Sequence, residues 1–93
     1  MFEWDDRKRL VNLSKHGIDF WDVLPIFDGF MIEIEDARRD YGERRIGAYG
    51  EIEGGDILFV IYTWRGERRR IISARRAGSD ESEDYRRAKA ATR

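Results

Sequence analysis

Apolar and acidic residues alternate in FMIEIE (30–35), the period of two expected of a strand with one buried face. RRIGAYG (44–50) is a second extended run, and Asp56 to Trp64 is a nearly continuous apolar strand suited to the middle of a sheet. Gly54-Gly55 can supply the positive φ of one hairpin, Arg65-Gly66 the two-residue loop of the next, and Arg68 to Ala74 the last strand. Upstream, the pattern is helical. After a short extended piece, Phe2 to Trp4, Asp5 can cap a helix running to about His16, with Gly17 ending it in the left-handed conformation. Leu10, Leu13 and Val11 are its expected buried stripe. Asp19 caps a second helix, stapled by Ile18 and Val23. Pro25 lies beyond the first turn of that helix, where it deletes an internal hydrogen bond and should kink or stop it. Ser79 can cap a closing helix that carries Asp80, Glu81 and Glu83 in its first turn and Arg86, Arg87 and Lys89 toward its end, matching the helix dipole.

Runs of helices and runs of strands, rather than strict alternation, argue for an α+β fold. The expected architecture is a pair of N-terminal helices packed on one face of a four-stranded, mostly antiparallel sheet, followed by a C-terminal helix. The other sheet face should be partly wet. Ninety-three residues are room for a single domain spanning 1–93, and 41% hydrophobic content is enough to give it a packed core.

A net charge of -1 excludes the overall basic excess of a protein that coats nucleic acid by bulk attraction, so any polyanion binding must be local. With no cysteine and a single histidine, His16, neither a thiolate site nor a multi-histidine zinc centre is available, and no metal or cofactor is expected. The longest apolar run, Ile57 to Tyr62, is far short of the roughly twenty residues of a membrane span. MFEWDDRKR also lacks the order of a secretory signal, and a cytoplasmic location is expected. Signatures of dinucleotide-binding proteins, P-loop NTPases, serine hydrolases and zinc proteases are missing.

The distribution of charge is more informative than its sum. Asp19 to Asp36 holds six acids and no Lys or Arg, whereas Arg65 to Arg76 holds six arginines against the lone Glu67. Arginine's planar fork suits bidentate phosphate contacts. In a regular strand, Arg68, Arg70 and Arg76 share a face with Ile72 and Ala74, while Arg69 and Arg75 share the other with Ile71 and Ser73. Arg70 and Arg75 could then meet one ligand only through a bulge or twist. Each could instead serve an internal ion pair. Lys15 and His16 at a helix end suit the dipole, and near an arginine strand they could also supply a proton carrier and charge stabilisation for phosphoryl transfer. Glu43 and Arg44 could add a base or an orienting partner, or form a plain ion pair at a strand edge. Trp4, Trp21, Trp64, Tyr49 and Tyr62 are mostly core by type, although an exposed aromatic beside the arginines could stack a base.

In order, FEWD (2–5), Lys8, NLSKHGIDF (12–20), Glu43-Arg44 followed by IGAYG, VIYTWRGERRRIISARRA (60–77), Glu81 and Tyr85 resemble the BrnT family, toxins of type II toxin–antitoxin modules. The likeness runs from Phe2 to about Arg86, with KHG and RIISARRA its most specific parts. It implies a fold similar to the RelE-type ribonuclease toxins, RNA cleavage that inhibits translation, and a hetero-oligomer with a BrnA-like ribbon-helix-helix antitoxin. By resemblance it singles out Lys15, His16, Glu43, Arg44, Arg70, Arg75 and Tyr85. The expected catalytic set is Lys15, His16, Glu43, Arg70 and Arg75, with Arg44, Arg65, Arg68, Arg76 and Tyr85 touching RNA. The chain departs from the family at Ala77-Gly78, where Ala-Thr is usual, and at Pro25. The mechanism that fits is metal-independent attack of a ribose 2′-hydroxyl on the adjacent phosphate. The competing reading is a non-catalytic RNA- or protein-binding module that uses the 65–76 strand, and a third is that this strand receives an acidic partner segment.

Overall fold

The computed structural model describes residues 1–92. Strand β1 (Phe2–Trp4) leads into helix α1 (Asp6–His16) and the single-turn helix α2 (Phe20–Val23), which passes into a 3-10 segment, Leu24–Asp28. Then come β2 (Ile32–Glu35), β3 (Ile46–Glu51), β4 (Ile57–Arg65), β5 (Arg68–Arg76) and helix α3 (Ser79–Ala91). Local chemistry accounts for the boundaries. The Asp5 carboxylate accepts from the Arg7 and Lys8 amides, and Gly17, at φ 71°, donates to the Leu13 carbonyl. Asp19 caps α2 by accepting from the Trp21 amide, and Ile18 and Val23 are both buried as a staple requires. Pro25 ends the α-helical turn, since residues beyond Val23 continue only as 3-10.

The sheet has five strands in the order β1-β5-β4-β3-β2, not four. β1 pairs parallel to β5 (Glu3↔Arg70), and the other pairings are antiparallel. A three-residue strand that pairs across most of the chain has no local signature, so a periodicity argument cannot place it. The apolar β4 is central, as its pattern requires. The β4–β5 loop is Gly66-Glu67, one residue later than expected, because Arg65 pairs with Arg68. The last strand also runs two residues further, to Arg76.

The core lies on one sheet face, where α2 and the 3-10 segment bring Phe20, Val23 and Ile26 against Ala48, Leu58, Val60, Tyr62, Ile71 and Ala74. A side chain at Gly50 would collide with Ile26, so glycine lets that segment approach. Two helices depart from expectation. α1 buries Asn12 rather than an apolar stripe, and Leu10, Val11 and Leu13 stay exposed. The reason is that α1 lies along the edge of β5, not on a sheet face. There the Asn12 side chain accepts from the Ala74 amide at 3.0 Å and donates to the Ala74 carbonyl at 2.9 Å, replacing the strand partner that β1 no longer provides. α3 lies against the opposite face, through Tyr49–Glu81 and Lys89–Glu51, so the helices do not all cover one side. Its cap is Gly78, whose amide donates to Glu81, and Ser79 is the first helical residue.

Candidate functional site

Opposite the core, the sheet keeps a partly open face, and one irregularity decides what it carries. Ile61 pairs with Ser73 and Tyr62 with Ile71, so Ile72 is an extra residue with no partner on β4. The bulge reverses the alternation. Arg70, Ser73 and Arg75 consequently share the open face with Thr63, Ile61 and Phe59, which corrects the regular-strand division of the arginines. Arg69 falls on the core face, its guanidinium 4.6 Å from the ring centroids of both Phe27 and Trp64.

At the sheet edge, α1 and β5 enclose a groove of about 270 Å³ lined by Arg7, Lys8, Val11, Asn12, Lys15, His16, Ile72 and Ser73. Residues 8, 12 and 15 form one helical stripe, so the hydrogen bonds that fasten Asn12 to β5 aim its neighbours at the same strand. Lys15 and His16 occupy the last turn, where the helix dipole favours positive charge. Among the described residues, Arg7, Lys8, Lys15 and His16 make no ion pair. This is a local concentration of uncompensated donors in a near-neutral chain.

The arginines on the same face are compensated. Arg70 donates to Glu3 on neighbouring β1 at 2.7 Å. Arg75 grips Glu81 with both terminal nitrogens, at 2.9 and 3.0 Å, and lies 4.8 Å over the Phe59 ring. Glu81 also accepts from the Tyr49 hydroxyl at 2.5 Å and the Gly78 amide at 2.7 Å. With Arg75 the main cause, these bonds hold its carboxyl down at about 2. Burial, then the Glu81 hydrogen bond, pushes the Tyr49 hydroxyl upward. Beside this cluster is a second depression, about 240 Å³, lined by Ile34, Glu35, Asp36, Ala37, Arg38, Phe59 and Arg75. Its Asp36 is buried and receives Arg38 in a two-pronged bond of 2.8 and 3.0 Å, which brings the carboxyl down to about 2.

A family model described as "Ribonuclease toxin, BrnT, of type II toxin-antitoxin system" matches residues 4–81. The chain belongs to the BrnT family. It is similar to the crystal structure of the Brucella abortus ribonuclease toxin BrnT, with 33% identity and a TM-score of 0.66 over 85% of this chain and 99% of that one. No curated protein matches it. The chain is thus a BrnT-family ribonuclease toxin of a type II toxin–antitoxin system, which implies an antitoxin partner. No helix among the described residues is long and apolar enough to cross a membrane.

The expected site residues of this BrnT chain do not all converge. Lys15 and His16 line the groove, and Arg70 and Arg75 share its sheet face. Glu43 is bound by Arg65 at 3.1 Å and lies within 3.4 Å of Arg45, at the β4–β5 hairpin end. That end is ~20 Å from Arg75 by strand rise. Arg44 (paired with Glu35) and Arg68 (3.9 Å from Glu3) belong to the same end. Arg76 stands at the groove's far end, 3.5 Å from the His16 carbonyl and 3.9 Å from Asp56. Tyr85, expected to touch RNA, is 1% exposed and donates to the Phe30 carbonyl, so it anchors α3. Arg7, Ser73, Arg38 and the restraining role of Glu81 escaped the sequence reading. The helical spacing of Lys8, Asn12 and Lys15 was the available signal for the groove.

Proposed function

We propose that this toxin is a single-domain, RelE-like, metal-independent endoribonuclease whose scissile phosphate lies in the α1–β5 groove. The observation that carries this reading is the group of unpaired cations Arg7, Lys8 and Lys15, together with the His16 imidazole, beside Ser73 on the face that also holds Arg70 and Arg75. In the proposed reaction the ribose 2′-oxygen attacks the adjacent phosphorus and the bond to the 5′-oxygen breaks, leaving a cyclic phosphate and a free 5′-hydroxyl. One of Lys15 and His16, starting in its neutral form, takes the 2′-proton and, now protonated, gives a proton to the leaving 5′-oxygen. Arg70 and Arg75 contribute donors to the charge that builds on the phosphate. Their ion pairs restrain them without exhausting them. Of a guanidinium's five N–H groups, Arg75 commits three and Arg70 one.

The chain has one histidine and no cysteine, so a bound metal would have to rest chiefly on carboxylates. Glu43, at the far end of the sheet, fits the role of an orienting partner for Arg65 better than proton transfer, leaving Arg44, Arg65 and Arg68 as the RNA contacts of that end. The proposed partner is a BrnA-like ribbon-helix-helix antitoxin, for which the exposed Leu10 and Val11 of α1 offer an apolar docking surface beside the groove.

The test is product analysis in the presence of a chelator. Cyclic-phosphate or 3′-phosphate ends that disappear in a folded Arg70→Ala/Arg75→Ala protein support the reading. Full toxicity of that double variant, or a footprint on RNA without new ends, would refute it.

A further inference from the structure

We propose that the depression between Arg38 and Arg75 is a base-recognition pocket that seats the nucleobase beside the scissile phosphate and prefers guanine. This rests on the groove reading above and extends it from chemistry to specificity.

Shape and charge point to a base rather than a second phosphate. The pocket is smaller than the roughly 300–1,000 Å³ of drug-sized sites, the scale of one heterocycle. Three of its lining residues, Ile34, Ala37 and Phe59, are apolar. Phe59 is fixed, because its ring lies over Gly47, where any side chain would collide with it, and against Tyr49 at 4.5 Å. Every charge around the pocket already has an opposite: Arg38 with Asp36, Arg75 with Glu81, and Glu35 with Arg44 at 3.4 Å. A phosphate would find no net attraction, unlike in the α1–β5 groove. A neutral, flat ligand with an acceptor edge would find guanidinium donors over an apolar floor, and guanine O6 and N7 are the base acceptors that an arginine fork matches best.

Arg38 is prepared for that role. Its side chain is 73% exposed, yet two bonds to an aspartate only 4% exposed hold it in one orientation. Asp36 takes the Nε–H and one Nη2–H, so the end-on fork made by Nη1 and the second Nη2–H remains free. An exposed arginine without such an anchor would lose more side-chain freedom on binding. Ser73 and Arg75 are two residues apart on one face, ~7 Å by strand rise, so the pocket adjoins the groove.

The experiment measures cleavage of four short oligouridylates that differ at one central position (G, A, C or U). For the wild type we expect the guanine substrate to react roughly ten- to a hundredfold faster in kcat/KM. Arg38→Ala should bring that ratio below about threefold while leaving the other three rates in place, and Arg38→Lys should do the same because an ammonium lacks the fork. A wild type indifferent to the base, or a guanine preference that survives Arg38→Ala, would overturn the pocket. So would an equal loss on all four substrates, the signature of a phosphate contact. If no RNA is cleaved at all, the ribonuclease reading fails, and the pocket is judged separately by NMR titration with guanosine and adenosine. Guanosine-selective shifts at Ile34, Phe59 and Arg38, lost in Arg38→Ala, uphold it; none, or equal shifts with both nucleosides, reject it.

Discussion

The α1–β5 groove and the Arg38–Arg75 depression sit side by side on one sheet face and are both lined by cations, yet they differ in compensation. In the groove, Arg7, Lys8, Lys15 and His16 make no ion pair among the described residues, whereas Arg38 and Arg75 each grip a carboxylate with two bonds. The first is a source of positive potential. The second is a set of oriented donors with little net charge. Counting arginines along the strand favours the second region as the phosphate site, and pairing reverses that ranking.

The sharpest way to break the contrast is to disable chemistry on the groove side. Lys15→Ala/His16→Ala should lower the single-turnover cleavage rate by about a hundred- to a thousandfold, the usual loss for a preorganised group, with an unchanged circular dichroism spectrum. A loss below tenfold would remove both residues from the mechanism. Next in size is the wall itself. Asn12→Ala strips Ala74 of both edge partners and the Ile18 carbonyl of its donor, and each orphaned buried group typically costs about 1–3 kcal/mol. Urea unfolding should show a loss of several kcal/mol, together with loss of cleavage as α1 comes away from β5.

Acid distinguishes the compensated region. Glu81 and Asp36 are held at about 2, below ordinary values of 4.5 and 3.8. Their ion pairs therefore stabilise the fold fully above pH ~4.5 and lose that contribution as the pH falls toward 2. Thermal melts of Glu81→Gln should be less stable than wild type at pH 7 and converge with it near pH 2. A constant gap across that window would mean that Glu81 acts through packing alone. The smallest effect is in ionic strength. Lys8→Ala should flatten the dependence of RNA affinity on salt by about 0.7 in log–log slope, one single-strand phosphate contact, whereas Arg38→Ala should leave the slope unchanged.

Much of this was legible in the chain because the causes are local. Asp5, Gly17, Asp19 and Pro25 set helix ends through bonds made within a few residues, and β4 declared itself central by being apolar on both faces. The residue types of the site were legible too, since Lys15, His16, Arg70 and Arg75 stand in the segments that carry the family likeness. Their partners were not. Glu3 reaches Arg70 across 67 positions, and Asn12 meets Ala74 across 62.

The sequence by itself determined the secondary elements, the α+β class and the inventory of donors, because capping, turn formation and alternation are short-range. Tertiary structure alone decided which donors are free. The bulge at Ile72 turned Arg70 and Arg75 to one face, β1 and α3 supplied carboxylates to neutralise them, and the docking of α1 on a strand edge left its Arg7, Lys8 and Lys15 without ion-pair partners among the described residues. Whether a charge is available depends on what lies within about 4 Å of it in space, and spacing along the chain does not contain that information.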